Sequence, residues 1–157
     1  MLKANANSAG KALDHDNLAF GGVRLEFIEV VPPNGAKWLA PRHRFKILDA
    51  HGAVVGNITF RPGDSWHIQF AAGHIGYRVD EPFRGHGYAY QACRAIEPFV
   101  RKFYDRVIIT TTAENKASIR TIERLGAEFL GIVDIPADDP AYASGEMQRL
   151  RYEWTLD

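Results

Sequence analysis

Two short segments of the 157-residue chain combine residue types that suit chemistry with a spacing that would let them act. The first is Arg84-Gly85-His86-Gly87-Tyr88-Ala89, where a strand pattern ending near Val79 gives way to a helical one. The first backbone N–H groups of a helix lack internal partners, and the helix dipole leaves partial positive charge there. Glycines at such a junction let the backbone approach a pyrophosphate and adopt angles a side chain forbids, and Arg84 adds a cationic fork. A tight strand-to-helix connection is the plain alternative. The second segment is Asn115 with Ser118 three residues later, both good helix caps and both able to touch a ligand. A dinucleotide fingerprint starting at Gly85 needs a third glycine where Tyr90 stands, and a Walker loop needs a Gly-Lys-Ser/Thr triplet that is absent. His74, on the strand leading to Val79, is the first candidate for a general base, with His67, Asp64 and Glu29 behind it; a structural histidine is the competing reading.

The elements that must position these residues follow from periodicity. Residues 1–22 show no sustained pattern and read as a mobile leader, leaving 23–157 as one domain. Val23, Leu25 and Phe27 alternate as one face of a strand. Strands over 44–48 and 54–60 flank a glycine-containing turn, and a further strand is expected around Trp66–Phe70 before the one at 74–79. The stretch from Ala36 to Arg42 is short and proline-bounded. Ala89, Ala92, Cys93, Ile96, Phe99, Val100 and Phe103 fall on one helical face, with Pro98 expected to kink or split the helix. A β-branched strand over 106–112, a short helix closed by Gly126, and strands over 129–135 and 149–154 complete the order. The predicted class is mixed α/β, without the strict alternation of a doubly wound sheet.

Composition excludes several functions. Nineteen Lys and Arg balance nineteen Asp and Glu, which argues against a nucleic-acid surface. The basic run Arg42, His43, Arg44, Lys46 reads as a solvated strand start. The single cysteine, Cys93, precludes an intrachain disulfide and lies on an apolar helix face. The histidines at 15, 43, 51, 67, 74 and 86 have no zinc spacing, so no metal is expected. No signal peptide or membrane-length apolar run is evident, and a cytoplasmic monomer or homodimer is the expectation. Trp38, Trp66, Trp154 and Tyr142 fit packing or a pocket wall equally.

The run from Gly76 through Pro82 to Ala89, with Asn115-Lys116-Ala117-Ser118 and Leu125-Gly126, resembles the GNAT acetyltransferases, whose signature is Arg/Gln-x-x-Gly-x-Gly/Ala followed by Asn-x-x-Ser. The likeness spans most of 23–156 and is most specific over 75–131. It implies a mostly antiparallel, twisted sheet of about six or seven strands, splayed at the cofactor site and flanked by helices. It also implies acetyl-CoA as acyl donor and an amine, a protein N-terminus or a small molecule, as acceptor. Carried over by position, the backbone N–H groups of His86, Gly87, Tyr88 and Ala89 hold the pyrophosphate beside Arg84 and Gly85. Tyr77 and Val79 main chain pair with the pantetheine, a backbone N–H near Val79 polarises the thioester, and Asn115 and Ser118 contact the cofactor. Where many members carry a proton-donating tyrosine four residues after that serine, this chain has Ile122, as in the RimJ/RimL-like branch. A non-catalytic acyl-CoA-binding domain is the alternative reading. The acceptor-side segments 31–42, 61–73 and 136–148 carry no motif.

Overall fold

The computed structural model describes residues 14–33, 41–143 and 145–157. Residues 1–13 of the expected leader, and residues 34–40 with Trp38, lie outside the described residues. From Asp14 onward the chain packs against the domain: Leu18 is buried and the His15 ring stacks on Phe27 at 3.8 Å.

Among the described residues, eight strands form two sheets. β1 (Ala19–Phe20), β2 (Val23–Val31), β3 (Arg42–Leu48), β4 (Val54–Phe60) and β5 (Ile75–Val79) run in that spatial order, each antiparallel to its neighbour. β6 (Arg106–Thr111), β7 (Glu128–Asp134) and β8 (Gln148–Thr155) form an antiparallel sheet with β8 central. Between them come α1 (Tyr88–Val100), α2 (Lys116–Arg124) and the short α3 (Pro140–Ala143). The alternation expected for β2 holds, with Val23 and Leu25 buried and Arg24 and Glu26 exposed.

α1 forms because its apolar residues recur every three or four positions. Ala92, Cys93, Ile96, Phe99 and Val100 are all at most 1% exposed and pack with Phe45, Ile58 and Phe60 from the larger sheet. Burying one such large aliphatic or aromatic side chain contributes about 1.5–3 kcal/mol. Pro98 does not split the helix: it lies in the last turn, and α1 ends two residues beyond it. Burial pushes the Cys93 thiol upward, with the Glu97 carboxylate adding to the shift, as befits a core residue.

Two expectations are corrected. The segment around Trp66–Phe70 is no strand but a π-helical turn over His67–Ala72. Ser65 Oγ accepts the Ile68 N–H, and Gly73 N–H reaches back to Ile68 O, closing a wide turn. The alternating apolar residues fit a strand equally well, but Ile68 and Ala71 face the core together while Trp66 stacks on Phe70 at 5.3 Å. In the basic run, Arg44 and Lys46 pair with Glu29 and Glu26 at the surface, whereas His43 is buried. Burial, then the nearby His15, pushes the His43 pKa down to about 4.

Two hydrogen bonds at His74 stitch the sheets together. His74 N–H donates to Ile108 O at 2.8 Å, and His74 Nδ1 accepts the Ile108 N–H at 2.9 Å. Beyond that stitch β5 pairs only with β4 among the described residues, and its other edge is left without a strand partner. Main-chain groups alternate along a strand, and Asp80 N–H bonds Val55 O on the β4 side. Those of Tyr77 and Val79 therefore point to the unpaired edge.

Candidate active site

β5 ends at Val79, a 3₁₀ turn over Glu81–Phe83 follows, and α1 begins at Tyr88. The turn is made by Gly85 and Gly87, with φ of +87° and +74°, a left-handed region that penalises any side chain. Gly87 is the N-cap and no side chain caps it, so the first N–H groups of α1 remain for a ligand. The Arg84 guanidinium folds back, its Nε donating to Val79 O at 3.0 Å. Arg124, at the end of α2, lies over the Tyr90 ring at 4.0 Å and borders Gly87.

α2 starts differently. Asn115 caps it, its Oδ1 accepting the Ser118 N–H at 3.1 Å. Ser118 is nearly buried, and its Oγ lies 2.9 Å from the Tyr77 hydroxyl. Burial holds the Tyr77 phenol well above its ordinary pKa, so the hydroxyl stays protonated near neutral pH.

Two cavities flank this pair. The first, about 730 Å³, is lined by Tyr77, Val79, Arg84, Gly85, Gly87, Tyr88 and Ala89 from the β5–α1 side, and by Asn115 and Ser118 from α2. Arg78, Arg120 and Arg124 join them, so an elongated, phosphorylated ligand would meet four arginines as well as a helix start. Of the residues anticipated for this site, only His86 is absent from the lining; its ring turns toward Tyr88. The second cavity, about 450 Å³, shares Tyr77, Arg78, Asn115 and Ser118 with the first. Its other walls come from β4, the π-helical turn, β6 and the segment from α3 to β8.

His74 does not fit the base role expected of it. It lines neither cavity, is 3% exposed, and both ring nitrogens are engaged: Nδ1 accepts from Ile108 N–H and Nε2 donates to Gly63 O. Burial outweighs the raising effect of the Gly63 bond and pushes its pKa down to about 4. His74 fastens the two sheets. His67, a weaker candidate in the sequence, lines the second cavity, and its Nδ1 lies 2.9 Å from Asp139, whose side chain is fully buried. Ile122 is fully buried in the core and offers nothing to either cavity. Asp64 and Glu29 line neither, and Tyr142 lies on α3 outside the second cavity's wall. Sequence reasoning missed Arg61, Arg149 and Asp139, which come from segments with no motif. Among the described residues no group of three His, Cys, Asp or Glu could hold a metal, and no helix is long and apolar enough to cross a membrane.

No curated protein sequence matches the chain significantly. Among solved structures it is similar to Mycobacterium smegmatis RimJ in complex with CoA-disulfide, at 21% identity and a TM-score of 0.55, over 73% of this chain and 53% of that one. It is similar to ribosomal-protein-S5-alanine acetyltransferase from Vibrio fischeri at 18% identity, TM-score 0.56, over 74% and 62%. The microcin C7 self-immunity acetyltransferase MccE, in complex with acetyl-CoA and AMP, matches at 19% identity, TM-score 0.54, over 73% and 61%. The chain thus spans between half and two thirds of the length of these three proteins. Residues 26–128, which hold the uncapped helix start and the capped α2, match the acetyltransferase (GNAT) domain, and the chain belongs to that family.

Proposed function

We propose that the protein is an acetyl-CoA-dependent N-acetyltransferase acting on a primary amine, either a protein N-terminus or a small molecule. The observation that carries this reading is the meeting of two cavities at Tyr77 and Ser118, one with an anion-binding helix start and one with polar walls. The backbone N–H groups of His86, Gly87, Tyr88 and Ala89 take the pyrophosphate, with Gly85 giving access and Arg84, Arg120 and Arg124 beside it. The main chain of Tyr77 and Val79 on the open edge of β5 pairs with the pantetheine as an added strand, Arg84 giving up its bond to Val79 O. Asn115 contacts the pantetheine, Ser118 the cofactor, and a backbone N–H at Val79 polarises the thioester oxygen.

The amine nitrogen attacks the thioester carbonyl, so a C–N bond forms and the C–S bond breaks. His67, on the wall of the second cavity with Nδ1 held against Asp139, receives the amine proton. The Tyr77–Ser118 hydroxyl pair donates a hydrogen bond to the departing thiolate, which takes up the proton released by the amine; buried Ile122 offers no such donor. A thiol-release assay with acetyl-CoA and a panel of amines, including peptides with free N-termini, tests the reading. Acetyl-CoA should stabilise the fold by about 2.7 kcal/mol at a hundredfold excess over its Kd. Stabilisation without thiol release on any amine would make the protein a non-catalytic acyl-CoA-binding domain. No stabilisation at any concentration would sink both.

A further inference from the structure

The second cavity has an unbalanced charge. Among the described residues its lining includes three guanidinium groups, Arg61, Arg78 and Arg149, and no carboxylate. Arg61 is the unusual one. Its guanidinium sits against Gly76, where a Cβ would stand 2.8 Å from Nη2 and 2.9 Å from Nη1. A glycine there, on a strand where glycine is otherwise unfavourable, leaves a nook for this side chain. Once in it, Arg61 has a single long bond, Nη1 to Gly73 O at 3.5 Å, and no ion pair among the described residues. Burial, then the like charges of Arg42 and Arg149, pushes its pKa down to about 10, which still leaves it cationic at neutral pH. Arg149 pairs with Glu146 through Nη2, but its buried Nε–H has no acceptor among the described residues. Arg61 and Arg149 are each half-buried, but a cation short of acceptors and a buried N–H without one are costly, and a ligand that supplies the missing acceptors relieves both.

We propose that the acceptor amine carries an anionic group, a carboxylate or phosphate, which Arg61 and Arg149 bind in the second cavity. The amine is taken from the acetyltransfer reading above; the anion is argued from the cavity alone. Planar guanidinium forks match both anions through paired N–H···O bonds. The same charges disfavour an ammonium near them, which selects the neutral, nucleophilic form of the amine and excludes polycations. The anion holds the acceptor while the cavity's field helps strip its proton.

Matched pairs test this: glutamyl-alanine amide against glutaminyl-alanine amide, and phosphoethanolamine against ethanolamine. A charge-assisted hydrogen bond is worth enough for the anionic member to gain roughly tenfold to a hundredfold in kcat/KM, chiefly through KM. Arg61→Met should narrow that ratio to about threefold or less and Arg61→Lys restore part of it, since a lysine keeps charge but loses the fork. Should Arg61→Met fail to fold, as judged by circular dichroism, Arg149→Met serves the same comparison. Which pair shows the larger ratio separates carboxylate from phosphate. Calorimetric binding of the N-acetylated dipeptide amides to the CoA-loaded protein reads the charge preference without turnover. Equal binding and equal rates within both pairs overturn the anionic acceptor. A preserved binding preference with no thiol release on any amine overturns acetyl transfer instead, and leaves the anion site standing.

Discussion

The two cavities are both positive, yet they are made positive by different means. In the first, the central contribution is main chain: the uncapped start of α1, opened by Gly85 and Gly87, with Arg84 and Arg120 on exposed side chains around it. In the second it is side chain: Arg61 seated against Gly76 and Arg149 held by Glu146. Backbone donors are indifferent to residue identity so long as the turn forms, whereas guanidinium donors vanish with one substitution. The first cavity should therefore be most sensitive to change at its conformational hinge. The second should be sensitive residue by residue.

The largest effect is expected where the second cavity does chemistry. His67→Gln removes the proposed base and should lower kcat by about 10²- to 10⁴-fold while acetyl-CoA binding persists. An unchanged kcat would return His67 to a purely structural bond with Asp139. His74 supplies the contrast, because it lies behind the cavity and not on its wall. His43 and His74 both have folded pKa values near 4, below the unfolded value of 6.5. The unfolded chain thus binds the extra protons as pH falls, and stability present above about pH 6.5 is lost down to about pH 4 and level below it. Linkage puts this on the order of 3 kcal/mol for each histidine. Thermal melts across that window should show the loss in the parent chain and a shallower slope in His74→Gln, whose acidic kcat/KM limb stays where it was. A pH-rate limb that moves with His74 would reinstate it as the base.

Next in size is the hinge of the first cavity. Gly87→Val forces a β-branched residue into φ +74° with its Cβ 3.4 Å from Arg124 Nη1. The left-handed conformation costs roughly 1–2 kcal/mol, and relief by re-forming the turn would move the N–H groups of α1. Acetyl-CoA affinity should fall by about tenfold, since that energy is drawn from the binding conformation. If calorimetry finds affinity intact in a folded Gly87→Val, the backbone is not what holds the pyrophosphate.

The same difference explains what the sequence discloses. The first cavity is built from two nearly continuous segments, 77–90 and 115–124, so its glycines, its cap and its strand-to-helix junctions stand in order along the chain. Local physics made those residues readable: left-handed turns need glycine, and α2 needs Asn115. The second cavity gathers Arg61, His67, Arg149 and its shared residues from separate elements, joined only by long-range packing. His74 looked more like a base than His67 because it lies nearer the motif in sequence. Only the Ile108 and Gly63 bonds, 34 and 11 residues away, reveal it as a fastener. Alternation at 66–70 misled in the same way, since Trp66, Ile68 and Phe70 satisfy a strand and a wide helical turn alike until Ser65 closes the turn.

The smallest effect belongs at Asn115, one of the four residues both cavities share. Asn115 caps α2, so Asn115→Ala should cost about 1 kcal/mol of stability, read from denaturant melts, whether or not a ligand ever touches it. Asn115→Asp separates the two roles. A carboxylate caps as well as an amide and suits the positive end of the helix, so stability should match the parent within a few tenths of a kcal/mol. It cannot, however, donate as the amide Nδ2 does, and it brings negative charge to the edge of the first cavity. If Asn115 contacts the pantetheine, the KM for acetyl-CoA should rise by about threefold to tenfold in the aspartate variant at unchanged stability, the loss of one neutral hydrogen bond. A KM equal to that of the parent would reduce Asn115 to a cap and leave the first cavity dependent on the main chain of β5 and α1.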